Sequence, residues 1–337
     1  MISNRIITLI LAVAALAPLA TGGETDYKPQ IHGVLRTRWE AEFGNEFAQR
    51  FQVRNARLSV SGNVLPTLSY RIQIDGCDRG KIKILDAYAR WGFAGNWRVQ
   101  AGQFRVPYAV DCFRGPGSYY FANRSFMAKH MLNMRAVGAM IGYYGGQSLP
   151  FTLEGGVFNS TAIGNHDTWQ RNMNYAAKAT YKIKNTTLAV SYISADPDSV
   201  RMNLIDGAVT WQAGRWIVEG EYQNKHYTNS SHTTSHGWNL FASYAMPLDN
   251  LTFNQLSFQA RYDGMTDHST GKRNDEGNLI TDNPTRQRIT IGTTLAFVKN
   301  PFKAAIRLNY EKYFYTNGLT APQGEADKIV AELVVKF

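Results

Sequence analysis

Apolar and polar residues alternate along most of the chain. In Asp327–Phe337, Ile329, Ala331, Leu333, Val335 and Phe337 share one face, while Lys328, Glu332 and Lys336 share the other. Successive side chains of a β-strand point to opposite sides, so the pattern predicts a strand with one apolar and one charged face. Residues 302–311 repeat it, with Ala304, Ile306, Leu308 and Tyr310 opposed to Lys303, Arg307, Asn309 and Glu311. Residues 67–75 set Leu68, Tyr70, Ile72 and Ile74 against Ser69, Arg71, Gln73 and Asp75. In 96–102, Trp97, Val99 and Ala101 oppose Arg98, Gln100 and Gly102. Sixteen strands are predicted, over 31–42, 50–65, 67–75, 81–93, 96–104, 135–144, 150–158, 170–183, 186–195, 202–213, 215–225, 236–246, 252–263, 286–298, 302–315 and 326–337. They cover more than half of the 337 residues, where an ordinary globular domain has roughly 20–25% strand. A closed sheet whose apolar face meets lipid accounts for that content.

The connections alternate in length. Tight turns are predicted at Pro66, at Gly95, beside Asn185, at Gly214 and at Lys299–Pro301, and short ones at Gly145–Leu149 and Pro247–Leu251. On the other side, 105–134, 159–169 and 264–285 are long, and 105–134 is the longest. Short turns at one end, long loops at the other and an even strand count are the pattern of a transmembrane β-barrel. Sixteen strands leave a water-filled channel, whereas eight would be filled by side chains. Aromatic residues flank the short turns: Trp91, Phe93 and Trp97 near Gly95, Tyr143, Tyr144 and Phe151 near Gly145, Trp211 and Trp216 near Gly214, Phe297 and Phe302 near Pro301. Rings gathered at one level form an interfacial girdle. A soluble β-sandwich or propeller would also alternate, but it would not explain the girdle and the lopsided loops together.

Composition narrows the classes further. The chain has 36 Lys+Arg against 26 Asp+Glu, a formal charge of +10, with 18% charged and 12% aromatic residues. Disordered, collagen-like and disulfide-scaffold classes do not fit these values. Arg5 followed by the apolar run Ile6–Ala17 and the small residues Ala20, Gly22 and Gly23 reads as a signal peptide over 1–22. That leaves 23–337 as a single barrel domain in an oxidising compartment outside the cytoplasm. The basic residues are interspersed rather than clustered, so a nucleic-acid partner is not expected. His232 with His236, and Asn274–Asn278, lie in expected loops and suggest no metal or other cofactor. No nucleophile–base motif suggests an enzyme.

Several short motifs, in order, resemble the phosphate-selective porin O/P family of Gram-negative outer membranes. They are Arg54-Asn55-Ala56-Arg57-Leu58, Leu85-Asp86-Ala87-Tyr88, Gly102-Gln103-Phe104-Arg105-Val106-Pro107, Asn123-Arg124-Ser125, Arg135-Ala136-Val137-Gly138 and Gly156-Val157-Phe158-Asn159. Ala260-Arg261-Tyr262 and the closing pair Ile291-Gly292 and Asn309-Tyr310 follow. Asn55 stands where the family's early strand carries another arginine. The resemblance implies a trimeric 16-stranded porin whose long third extracellular loop, here 105–134, folds inward as a constriction above a basic lumen.

Strand parity supplies the candidate residues. It turns Arg36, Arg38, Arg57, Arg71, Arg90, Arg98, Lys178, Lys182, Arg261, Arg288, Lys303 and Arg307 inward, and the loop adds Arg124 and Lys129. A basic ring in a narrow aqueous passage concentrates anions and repels cations. Passive diffusion of small hydrophilic solutes with a preference for anions, phosphate-like ones included, is therefore expected. Tyr88 and Phe104 also face inward by parity, which keeps open a channel specific for sugars or peptides. Parity turns Arg50, Arg54, Lys81, Lys83, Arg135, Arg171, Lys312 and Asp327 outward, all toward the long-loop end. Of these, Arg50, Lys81, Lys83 and Arg171 are expected to contact lipopolysaccharide phosphates at the membrane rim. Cys77 and Cys112 fall in loops on the same side, an even pair that predicts a disulfide worth about 3–4 kcal/mol.

Overall fold

The computed structural model describes residues 26–337, apart from 45, 79–80, 133, 147–148, 161–162, 164–167, 197–199, 299–302 and 317–320. The expected signal peptide at 1–22, and the turn at 299–301 with Phe302, lie outside the described residues. Sixteen strands follow one another: β1 (Gln30–Phe43), β2 (Phe47–Leu65), β3 (Leu68–Asp78), β4 (Lys81–Ala94), β5 (Trp97–Arg105), β6 (Arg135–Tyr144), β7 (Phe151–Asn159) and β8 (Met173–Ile183). They continue as β9 (Thr186–Ala195), β10 (Met202–Ala213), β11 (Trp216–Tyr227), β12 (Ser235–Pro247), β13 (Phe253–Met265), β14 (Arg286–Phe297), β15 (Lys303–Tyr315) and β16 (Lys328–Lys336). Each pairs antiparallel with its sequence neighbours, and β1 pairs with β16 through contacts such as Trp39 opposite Ala331. Closure leaves no free edge, so every strand's backbone groups find a partner without water, as a lipid environment requires.

Alternation sorts the two faces. On β9, Leu188, Val190 and Tyr192 are exposed on the outside while Ala189, Ser191 and Ile193 are buried. Tight turns with left-handed glycines, Gly95 and Gly214, join β4 to β5 and β10 to β11. Ring pairs span neighbouring strands close to the short turns: Trp97 with Tyr143, Trp216 with Tyr244 and Phe253 with Phe297, at centroid distances of 5.3, 4.8 and 4.8 Å.

The alternation breaks at β-bulges, and there the parity reading needs correcting. The β1–β2 register slips between Arg36 and Thr37, so that Asn55 and Val53 face them and Arg54 is the extra residue. An extra residue flips every side chain beyond it to the other face. Arg50 therefore stands opposite Glu40 and pairs with it at 2.7 Å, rather than reaching outward to lipopolysaccharide. A second slip, with Leu85 as the extra residue, brings Lys83 opposite Asp75, with Lys81 on the same side of β4. On this stretch the outward residues are Ile82 and Ile84, not the lysines. Arg135, also expected outside, donates to Asp86 Oδ1 at 2.7 Å. Arg171 stays exposed just ahead of β8, and Lys312 forms an exposed ion pair with Asp327.

Candidate functional site

The segment between β5 and β6 packs against inward-facing side chains. Two apolar clusters hold it. Val106, Tyr108, Ala109, Cys112 and Ala128 pack with Phe158, Ile193, Leu204 and Tyr227, and Phe126, Met127 and Met131 pack with Met265 and Tyr313. A Cβ on Gly237 of β12 would come within 2.5 Å of Met131 Sδ and 2.8 Å of Met127 Cβ, so the wall there must be glycine.

Hydrogen bonds then fix the segment residue by residue. The Glu221 carboxylate accepts from the backbone N–H groups of Val110 and Asp111, and Asp263 accepts from Phe126 N. In the other direction, strand cations donate to the segment's carbonyl groups. Arg36 reaches Ala122 O (2.6 Å), Arg261 reaches Asn123 O (2.9 Å), Arg288 reaches Arg124 O (2.6 Å), Arg307 reaches Tyr119 O (2.7 Å), and Lys178 reaches Ala109 O. The same guanidinium groups also meet buried carboxylates: Arg36 and Arg307 on Glu332, and Arg288 on Asp263 (2.9 Å) and Glu311 (3.1 Å). Five of the residues expected to line the pore thus clamp the segment to the wall.

The expected disulfide is absent, and both thiols are free. Cys112 lies in the first apolar cluster, where its thiol donates to Leu132 O at 3.0 Å and lies 3.8 Å from Gln223 Nε2 of β11. Burial pushes that thiol's pKa well up. Cys77 is on β3, whereas the Cys112 thiol is turned toward Gln223 of β11, eight strands further round the sixteen-stranded sheet. Loops adjacent in sequence are separated here because the longer one turns toward β11.

Among the described residues, two sizeable cavities lie beside the segment. The lower one, toward the short turns, has a volume of about 610 Å³. Six basic side chains line it, Arg57, Arg71, Arg90, Arg105, Arg135 and Lys336, against Asp86 and Glu154. The upper one, toward the long loops, measures about 440 Å³ and has nine basic lining residues, among them Arg38, Arg50, Arg54, Arg124 and Lys129, against Glu325. Arg57 lines both cavities, and the consecutive residues Ser118 and Tyr119 line one each, which marks the neck between them. Arg57 pairs with Asp75 at 2.8 Å, Arg38 with Glu40 at 3.1 Å, and Arg71 approaches Asp86 at 3.7 Å.

Arg105 and Arg124 differ from these. Both donate to the same two carbonyl oxygens, those of Cys112 and Arg114, and the buried Arg124 Nε has no hydrogen-bond partner. No carboxylate among the described residues forms an ion pair with either. Two neighbouring guanidinium groups are thus held by neutral acceptors, with the buried Asp111 carboxylate acting on Arg124 only through its field. Above them Glu325 gathers Lys129, His130 (2.8 Å) and Arg286 (2.7 Å). Burial opposes ionisation of Glu325, but the His130 hydrogen bond and the charges of Lys129 and Arg286 hold its pKa well below the usual carboxylate range. Arg98 lies 4.8 Å from the Tyr144 ring centroid, and Lys182 and Lys303 are exposed at the short-turn ends of β8 and β15. Arg50, Arg54, Arg105, Arg135, Lys328 and Lys336 line these cavities but are not in the predicted lining set. The opposite charges of Arg50 and Glu40, placed by hairpin register, were the one sequence signal of the first bulge.

The family model for phosphate-selective porin O and P matches residues 37–230, more than half of the chain. The chain belongs to that family. Its porin fold is also that of solved outer-membrane proteins. The outer membrane channel DcaP of Acinetobacter baumannii superposes with a TM-score of 0.60 at 13% identity, covering 96% of this chain and 100% of that one. The anion-selective porin from Comamonas acidovorans gives 0.59 at 12%, covering 92% and 98%. The trimer form of Vibrio cholerae OmpT gives 0.60 at 11%, covering 92% and 98%. No curated protein matches this porin by sequence. Family and fold make the chain a passive channel of the bacterial outer membrane.

Proposed function

We propose that this porin passes small anions in preference to cations, through a path that runs from the upper to the lower cavity past Arg57, with 105–134 as its constriction. The observation that carries the reading is the Arg105–Arg124 pair beside the neck, held by neutral carbonyls in place of carboxylates. Guanidinium groups in that state offer paired donors and charge to a passing oxyanion, phosphate included. The paired arginines elsewhere contribute less, because their carboxylates cancel the local field. No chemical step is involved; the lumen supplies a polar route and a potential.

Further parts of the reading rest on the same fold. A homotrimer agrees with the trimer form of the Vibrio cholerae neighbour. Residues 1–22 serve as the export signal, on the strength of their n-region and apolar run. Outer-membrane lipid covers the apolar wall, and exposed Arg171 is the residue left to meet lipopolysaccharide at the rim. The test is the reversal potential of the protein in a planar bilayer under a KCl gradient. Wild type should favour chloride, and R105Q/R124Q should lower the chloride-to-potassium permeability ratio by about threefold or more, since each lost buried charge shifts ion binding by ~1 kcal/mol or more. Cation preference in wild type would overturn the reading.

A further inference from the structure

The lower cavity exposes aromatic surface that a purely ionic path does not need. Phe113 lines it and is 41% exposed, although the same segment buries Phe121 and Phe126. Tyr88 lines it too, its ring edge-on to Phe104 at 5.8 Å. Beside these rings stand guanidinium groups with neutral partners. Arg90 donates to Gln100 Oε1 at 2.8 Å and lies 5.5 Å from the Tyr88 ring centroid. Arg105 lies 5.9 Å from the Phe113 centroid, with backbone carbonyls as acceptors. A volume of about 610 Å³ falls in the range of sites for organic molecules, and an inorganic oxyanion would leave most of it to water.

We propose that the lower cavity is a transit site for aromatic carboxylates, whose carboxylate pairs with Arg90 or Arg105 while the ring lies against Phe113 and Tyr88. The inference rests on the anion-preferring reading and names a solute class for it. A carboxylate fits the planar guanidinium fork. Lys178 Nζ lies 4.7 Å from the Phe113 centroid, and a ring laid on the part of Phe113 left exposed takes apolar surface out of water and gains the edge or offset contact that aromatic pairs prefer. Arg90 and Arg105 already donate to neutral partners, so the solute competes with those bonds and can leave again, as conduction requires.

The test uses the full chain in planar bilayers and reads the block of chloride current by benzoate, acetate and inorganic phosphate. Benzoate and acetate carry the same charge and differ in the ring. Benzoate should half-block wild type at about tenfold lower concentration than acetate, the size of one good aromatic contact. In F113A the two should come within about twofold of each other. Equal block by benzoate and acetate in wild type overturns the proposal, as does a tenfold difference that survives in F113A. The wild-type comparison needs no variant to fold. Reversal potentials on the same membranes separate the two levels: chloride preference with equal block rejects the aromatic solute alone, whereas cation preference rejects the anion reading beneath it.

Discussion

At the residue scale, the lumen's cations fall into two groups by the acceptors they have. Arg36 and Arg307 converge on Glu332, whose side chain is fully buried, and each also donates to a carbonyl of the 105–134 segment. Removing that carboxylate would leave two buried guanidinium groups facing each other, a situation that costs about 3–5 kcal/mol. E332Q should therefore lower the unfolding midpoint in detergent and make single-channel current noisier, because Tyr119 and Ala122 lose firm anchors. An unchanged midpoint with quiet current would show that Glu332 holds nothing. Arg90, Arg105 and Arg124, with neutral acceptors, are the group available to solutes. The division is one of pairing, and residue type does not distinguish them.

At the scale of elements, a strand and a loop determine each other's sequence. β12 carries Gly237 where Met127 and Met131 press on the wall, and β7, β9 and β10 turn apolar residues inward where a water-filled lumen would want polar ones. Those choices make sense only beneath a packed segment. Placing a branched side chain at Gly237 should push the π-helical turn Met127–Met131 away from β12 and toward the cavities. G237V is expected to lower single-channel conductance at fixed salt while leaving strand content by circular dichroism intact. Unaltered conductance would mean that the segment yields elsewhere. Bulges act at the same scale: one extra residue at Arg54 and one at Leu85 turn the long-loop ends of β2 and β4 over.

At the scale of the molecule, the formal charge of +10 matters less than its distribution. Both cavities have an excess of basic lining, with the neck at Arg57 common to them. A field made by fixed charges around water is screened by mobile ions, and the Debye length falls from about 10 Å at 0.1 M to about 3 Å at 1 M. Chloride preference, read as reversal potential, should therefore be strong at 0.1 M KCl and weaken at 1 M. Selectivity independent of salt would point to close coordination at the neck instead of a lumen-wide field.

By itself the sequence determined the wall of this protein. A period of two is a local property, legible wherever one face meets lipid and the other water, so strand number, antiparallel order, turn ends and the aromatic girdle could be read residue by residue. Tyr88 and Phe104 were placed inward correctly for the same reason. Only the tertiary structure decided what the lumen does with its charges. A bulge adds one residue and leaves no mark in composition, so Arg50, Lys81 and Lys83 were assigned to the wrong face. The path of 105–134 depends on contacts with strands up to β16, so neither the turn of Cys112 toward β11 nor the clamping role of Arg36, Arg261, Arg288 and Arg307 could be seen in local pattern. Alternation reports which side of the sheet a residue is on; what meets it there is fixed by chain far away in sequence.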